Sequence, residues 1–163
     1  MAKRVDPANL PEIIGTLYPS PFDKPCRARV RRKLGDAAGL TQFGVNLLRL
    51  PPGAWSGQRH WHTEQDEFVY VLSGEVVLVT DAGEEILKAG DCAGFKAGDK
   101  DGHHLQNRRA GDALVLEIGT RTKSEYSEYP DIDLASDMRS GAMYQHKDGA
   151  PYTDLKRRGP GDA

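Results

Sequence analysis

Residues 53–74 read GAWSGQRHWHTEQDEFVYVLSG. His60 and His62 flank a single residue, and on an extended strand that spacing turns both imidazoles to one face, because side chains alternate with period 2. Trp61 is then expected on the opposite face. Glu67 follows, and after it FVYVL, a short apolar run that reads as a buried strand ending at the turn pair Ser73–Gly74. Two imidazoles and a carboxylate on neighbouring strands form a donor set suited to Zn, Fe, Mn, Ni or Cu.

Further along, from Gly90, the chain reads GDCAGFKAGDKDGHHLQN. Alternation within HHLQN places His103, Leu105 and Asn107 on one face and His104 and Gln106 on the other. His103 is thereby the candidate fourth ligand. His104 is expected to point away as a surface or second-layer residue, unless a bulge in the GDKDG loop reverses it. Asn107 is expected either to orient a ligand or to close a turn.

Gly53, His60, His62, Glu67 and Gly74 resemble, in order and spacing, the first motif of the cupin superfamily, with one extra residue between Gly53 and His60. Glu64 and Asp66 are nearby carboxylates, but only Glu67 keeps the motif's distance to Gly74. Gly90, Gly98, His103 and Asn107 resemble the second motif, with Lys96 where proline is usual and two extra residues between Gly98 and His103. The motifs cover residues 53–107, and flanking strands extend the likeness to about residues 27–120. GHHLQNRRAGDALVLEIGTR, EYPDIDL and HKDGAPY are also similar to small bacterial single-domain cupins. The resemblance implies an all-β, antiparallel double-stranded β-helix, the cupin jelly-roll barrel. It also implies one divalent metal ion, Zn, Fe, Mn or Ni, on His60, His62, Glu67 and His103, and a homodimer.

Short strands broken by Gly, Pro and Asp, with almost no helical periodicity, support an antiparallel barrel or jelly roll on their own account. LTQFGVNLLRL (40–50), stopped by Pro51–Pro52, EVVLVTD and EEILKAG around Asp81–Ala82–Gly83, and ALVLEIGTR read as further strands. Residues 1–25, rich in proline, read as an extended arm, which in cupins often crosses to a second subunit. Residues 26–122 form the barrel, and residues 123–163 read as an irregular extension with a frayed basic end. CRARVRRKLG, basic at 27, 29, 31, 32 and 33, reads as an edge strand guarded by charge rather than as a phosphate-binding stripe.

At 163 residues the chain is long enough to bury a core without disulfides, so a metal here serves function rather than folding. Cys26 and Cys92 show no CxxC spacing, no signal-peptide or membrane-length apolar run is present, and the net charge is −2. A cytoplasmic protein with no nucleic-acid or membrane partner is expected.

Three imidazoles and a carboxylate leave a divalent ion with net positive charge and open positions for a ligand. The expected function is therefore a metal-dependent enzyme acting on a small oxygen-rich metabolite, with sugar-phosphate isomerase-like chemistry as its concrete form. An Fe-dependent dioxygenase and a non-catalytic metabolite-sensing or binding cupin are the alternatives. Glu117 alternates with Ala113 and Val115 on the last strand, and if it faces inward it is a candidate general base. Lys96 and Lys100 are candidates to meet an anionic substrate, and Trp55, Trp61, Tyr70 and Phe95 read as core or pocket aromatics.

Overall fold

The computed structural model describes residues 2–162. Its strands are β1 (Ile13–Ile14), β2 (Val30–Lys33), β3 (Phe43–Leu50), β4 (Trp61–His62), β5 (Glu67–Ser73) and β6 (Glu75–Thr80), followed by β7 (Gly83–Lys88), β8 (Cys92–Phe95), β9 (His104–Gln106), β10 (Ala113–Thr120), β11 (Tyr126–Tyr129) and β12 (Leu134–Asp137). A single turn of helix, Leu34–Ala38, ends at Gly39, whose φ of 80° supplies the left-handed cap. No helix among the described residues is long and apolar enough to cross a membrane.

Two sheets face each other. The larger has the order β1-β2-β3-β10-β5-β8, antiparallel throughout. Opposite it, β7-β6-β9 continues through the bridges Trp55↔Gln106 and His60↔His103 to the segment carrying β4, and from there to β11 and β12. Strand parity fills the space between them. On β5 Val69 and Val71 turn inward and Phe68, Tyr70 and Leu72 outward. Leu48 and Leu50 of β3 and Ala113 and Val115 of β10 meet Val76, Leu78, Leu87 and Leu105 from the other sheet in one apolar cluster. Each fully buried Val or Leu contributes roughly 1.5–3 kcal/mol relative to an exposed one. Between β5 and β6 the chain changes sheets at Gly74, with φ at 77°, where an added Cβ would stand 2.7 Å from the Asp112 carbonyl oxygen.

Two expectations about the flanks are corrected. Residues 123–163 are not irregular throughout: β11 pairs with both β12 and β4, since short polar strands form where a partner edge is offered rather than from their own propensity. The basic end is not frayed at Arg158, which is 2 % exposed, pairs through its backbone with Thr16 and lies against Asp154 and Asp23. The N-terminal arm lies along its own barrel, where Tyr18 and Cys26 join Tyr129 and Leu134 in a second apolar cluster. Residues 27–33 also differ from a simple charged edge. Arg29 and Arg31, two apart, both turn inward, while Arg32 pairs outside with Glu12.

Candidate metal centre

Glu67 opens β5 on the larger sheet, and its carboxylate reaches across the barrel to three histidines of the opposite sheet. His60 and His103 are held side by side by an antiparallel pair of backbone hydrogen bonds, His60 N to His103 O at 3.2 Å and His103 N to His60 O at 2.9 Å. The adjoining strand β4 carries His62. The Nε2 atoms of His103, His62 and His60 lie 2.9, 3.2 and 3.8 Å from the same oxygen, Glu67 Oε2. One ligand atom from each of His60, His62 and Glu67 falls within 4.8 Å of every other. His103 stands outside that tightest set while still hydrogen-bonded to Glu67, its ring lying flat on Phe95 at 3.5 Å and 2°.

The rings of His60 and His62 are fixed from behind, whereas His103 Nδ1 has no hydrogen-bond partner among the described residues. Gln58 O lies 2.7 Å from His60 Nδ1, and since a carbonyl only accepts, that nitrogen carries the proton and Nε2 presents a lone pair. Nδ1 of His62 sits 3.0 Å from Ser127 Oγ and 3.3 Å from Glu125 Oε1, both supplied by the C-terminal extension. Glu125 is itself 4 % exposed and accepts from the backbone N–H groups of Thr63 and Glu64. A carboxylate behind a ligating imidazole is the usual outer partner of a metal-bound histidine.

The charge states suit a cation. Burial pushes the His60 imidazole down to about 3, so it is neutral across the physiological range. Burial opposes ionisation of Glu67, but the hydrogen bond with His103 and the close His62 and His60 imidazoles outweigh it and hold the carboxyl well below its usual range. His62 is raised: burial works against its charge, yet the Glu67 and Glu125 carboxylates on either side prevail. Two acceptors, the His60 lone pair and an ionised carboxylate, thus point at each other, and His62 Nε2 is buried without a hydrogen-bond partner. A divalent ion between them resolves both conflicts, so the residues present fit a metal.

Two cavities flank the cluster, and His103 and Phe95 border both. The larger, about 250 Å³, is lined by His62, Trp61, Gln65, Thr80, Lys96, Asp99 and Asp101 among others. Trp61 therefore does not simply turn away from the imidazoles; β4 is only two residues long, and no extended ladder imposes strict alternation. The smaller, about 170 Å³, is lined by Tyr18, Arg29, Arg31, Ser56, His60, Glu67 and Glu117. Glu117 faces inward, and Arg31 grips both its oxygens, Nε to Oε2 and Nη2 to Oε1 each at 2.7 Å.

The other singled-out residues have structural positions. His104 points away from His103 and is buried, its Nδ1 3.0 Å from Gly57 O and its ring edge-on to Trp55, so the inserted loop does not reverse it. The loop instead docks on the site through Gly98 N, which donates to His62 O. Asn107 closes a turn by donating to Leu50 O and Gly111 O. Glu64 and Asp66 accept from Ser124 and Ala97 rather than joining the cluster. Lys100 lies over the Trp61 ring at 5.9 Å, Trp55 packs into the second apolar cluster, and Tyr70 is exposed on the outer sheet face. Glu125 and Ser127 were not singled out from sequence, and Arg29 and Arg31 were read only as part of a charged edge strand. The alternation in CRARVRRK and in EYSEY is the sequence signal for the strands that carry Arg31 and Ser127, while Arg29 and Glu125 directly precede those strands.

A family model described as a cupin domain matches residues 46–119. Comparison with curated proteins gives no match. Among solved structures, a sugar phosphate isomerase of the cupin superfamily from Silicibacter pomeroyi is 44% identical, with a TM-score of 0.86, covering 93% of this chain and 97% of that one. A protein from Acidithiobacillus ferrooxidans, provisionally named a sugar phosphate isomerase, is 32% identical over 68% of this chain and 70% of its own, with a TM-score of 0.65. The polyketide cyclase of Streptomyces resistomycificus shares the fold at 23% identity and a TM-score of 0.59, over 74% of this chain and 80% of its own. With both motifs in place, the metal-suited cluster inside the barrel and a full-length relative at this identity, the chain belongs to the cupin superfamily.

Proposed function

We propose that the protein is a metal-dependent isomerase acting on a small sugar phosphate. The observation that carries this reading is the convergence of His60, His62 and His103 Nε2 on one oxygen of Glu67, beside a cavity that also contains an inward carboxylate, Glu117. The names of two structures at 44% and 32% identity support the same class. His60, His62, Glu67 and His103 would hold the ion. Bound there, a divalent ion would supply Lewis-acid polarisation of a substrate carbonyl or hydroxyl.

The remaining work falls to the protein's own groups. Moving a carbonyl between adjacent carbons requires a proton to leave one carbon and reach its neighbour, and Glu117 is the carboxylate in the smaller cavity not directed at the three imidazoles. With both oxygens on Arg31, Glu117 must release one of them to take a proton. Phe95, flat on His103, keeps one imidazole face from water.

The test is incubation of metal-analysed protein with aldose and ketose phosphates in D2O. Isomerisation with deuterium entering at the carbon next to the carbonyl is expected, without oxygen uptake. Loss of bound metal in His60→Ala with unchanged turnover would end this reading, and oxygen consumption coupled to substrate loss would replace it with oxidative chemistry.

A further inference from the structure

We propose that Arg31 binds a phosphate monoester dianion in the smaller cavity, making that chamber the phosphate end of the site; this rests on the isomerase reading above. The two cavities differ in charge. In the larger, Lys96 shares the lining with Asp99 and Asp101, so its cation is outnumbered by carboxylates. In the smaller, Arg29 and Arg31 stand against Glu67 and Glu117. An ion on the imidazole cluster, which both cavities border, adds to each, so with two cations against two carboxylates the smaller chamber stays the more positive of the two. An anion is favoured in it and disfavoured among the aspartates.

The arginines are differently engaged. Arg29 has no carboxylate partner among the described residues, but its fork is spent on Gly15 O, Ser56 O and Thr16 Oγ1, which ties the arm to the barrel. Arg31 uses Nε and Nη2 on Glu117, and Nη2 also on Ser56 O at 3.0 Å, while Nη1 has no hydrogen-bond partner among the described residues. A guanidinium presents five donors in a fixed plane, so an edge remains for an oxyanion after the Glu117 pair is made. Glu117 thereby acts as a positioning partner that aims the guanidinium, and it also competes for it. The loop lysines, expected from sequence to meet the anion, lie on the other side of the cluster or over Trp61.

Inorganic phosphate is the probe, titrated calorimetrically into the intact protein with and without Zn²⁺, with metal content and turnover read on the same samples. The expected result is binding by wild type, weakened at least about tenfold in Arg31→Gln with metal content retained, and unchanged in Lys96→Gln. Because Arg31→Gln could disturb folding, Glu117→Gln is the second variant: removing the competing charge is expected to tighten phosphate several-fold. No binding by wild type, equal binding by Arg31→Gln, a loss in Lys96→Gln, or no tightening in Glu117→Gln would each overturn the assignment. Phosphate that binds only with Zn²⁺ and indifferently to Arg31 would be a ligand of the metal, which also overturns it. Turnover without Arg31-dependent binding sinks this inference alone, whereas Arg31-dependent binding without turnover sinks the isomerase reading alone.

Discussion

Glu67 carries a charge that the rest of its surroundings would not tolerate unpaired. Its side chain is half-buried, and its neighbours are three imidazoles, of which His60 is held neutral. Glu67→Gln keeps the shape and removes the charge. Bound metal is expected to fall by more than the roughly 10–100-fold typical of losing an outer-shell partner. Elemental analysis checks this, with circular dichroism confirming that the barrel survives. The two thiols give an independent test at the same scale. Cys26 is fully buried, and burial pushes it from its ordinary 9.0 up to about 11, whereas Cys92 is exposed. At pH 7.5 a thiol reagent is expected to modify Cys92 in the native protein and Cys26 only after denaturation. A thiol whose folded value is raised favours the folded state below pH 9 and loses that contribution as pH climbs toward about 11. Roughly 2–3 kcal/mol should therefore disappear across that interval in denaturant titrations of wild type, and not in Cys26→Ala.

At the scale of elements, β11 is the strand that makes the centre more than a barrel motif. It places Ser127 directly across from His62 in register and brings Glu125 to the same imidazole nitrogen. Glu125→Gln, whose single amide oxygen still accepts from one of the Thr63 and Glu64 N–H groups, is expected to lower metal affinity about 10–100-fold while lowering the melting temperature by only a few degrees. Competition titration against a chelator reads the first, and a thermal scan the second. A large loss of stability with unchanged metal affinity would make Glu125 purely a turn-closing residue. The inserted loop between Gly98 and His103 has a comparable local role. Its departures from the family motif do not displace His103, because Gly98 N is anchored on the His62 carbonyl.

On the scale of the whole molecule, the arm and the extension wrap the same barrel and join each other at Thr16 and Arg158. With the arm engaged within its own chain, the surface we propose for a second copy is the outer face of the larger sheet. Phe43, Phe68, Tyr70 and Leu72 are exposed there on strands β3 and β5, with Leu116 and Ile118 of β10 between them in register. Such a contiguous apolar face is rare on a monomer. Wild type is expected to sediment as a dimer and Leu72→Lys as a monomer with an unchanged far-UV spectrum. A monomeric wild type would remove the dimer from the picture.

Much of this was legible in the amino-acid order because it depends on local spacing. Alternation put His60 and His62 on one side and separated His103 from His104, and the turn residues around Gly74 and Gly83 marked where strands reverse, since period and φ preference are properties of a few consecutive residues. The all-β class followed from the same short-range signals. Tertiary structure alone decided that Arg31 pairs with Glu117, that Glu125 and Ser127 stand behind His62, and that a C-terminal arginine is buried against the N-terminal arm. Those contacts join positions 31 with 117, 62 with 125 and 127, and 16 with 158. No periodicity spans such separations, because the energy that selects these partners comes from burial and charge pairing that exist only once the two sheets have closed.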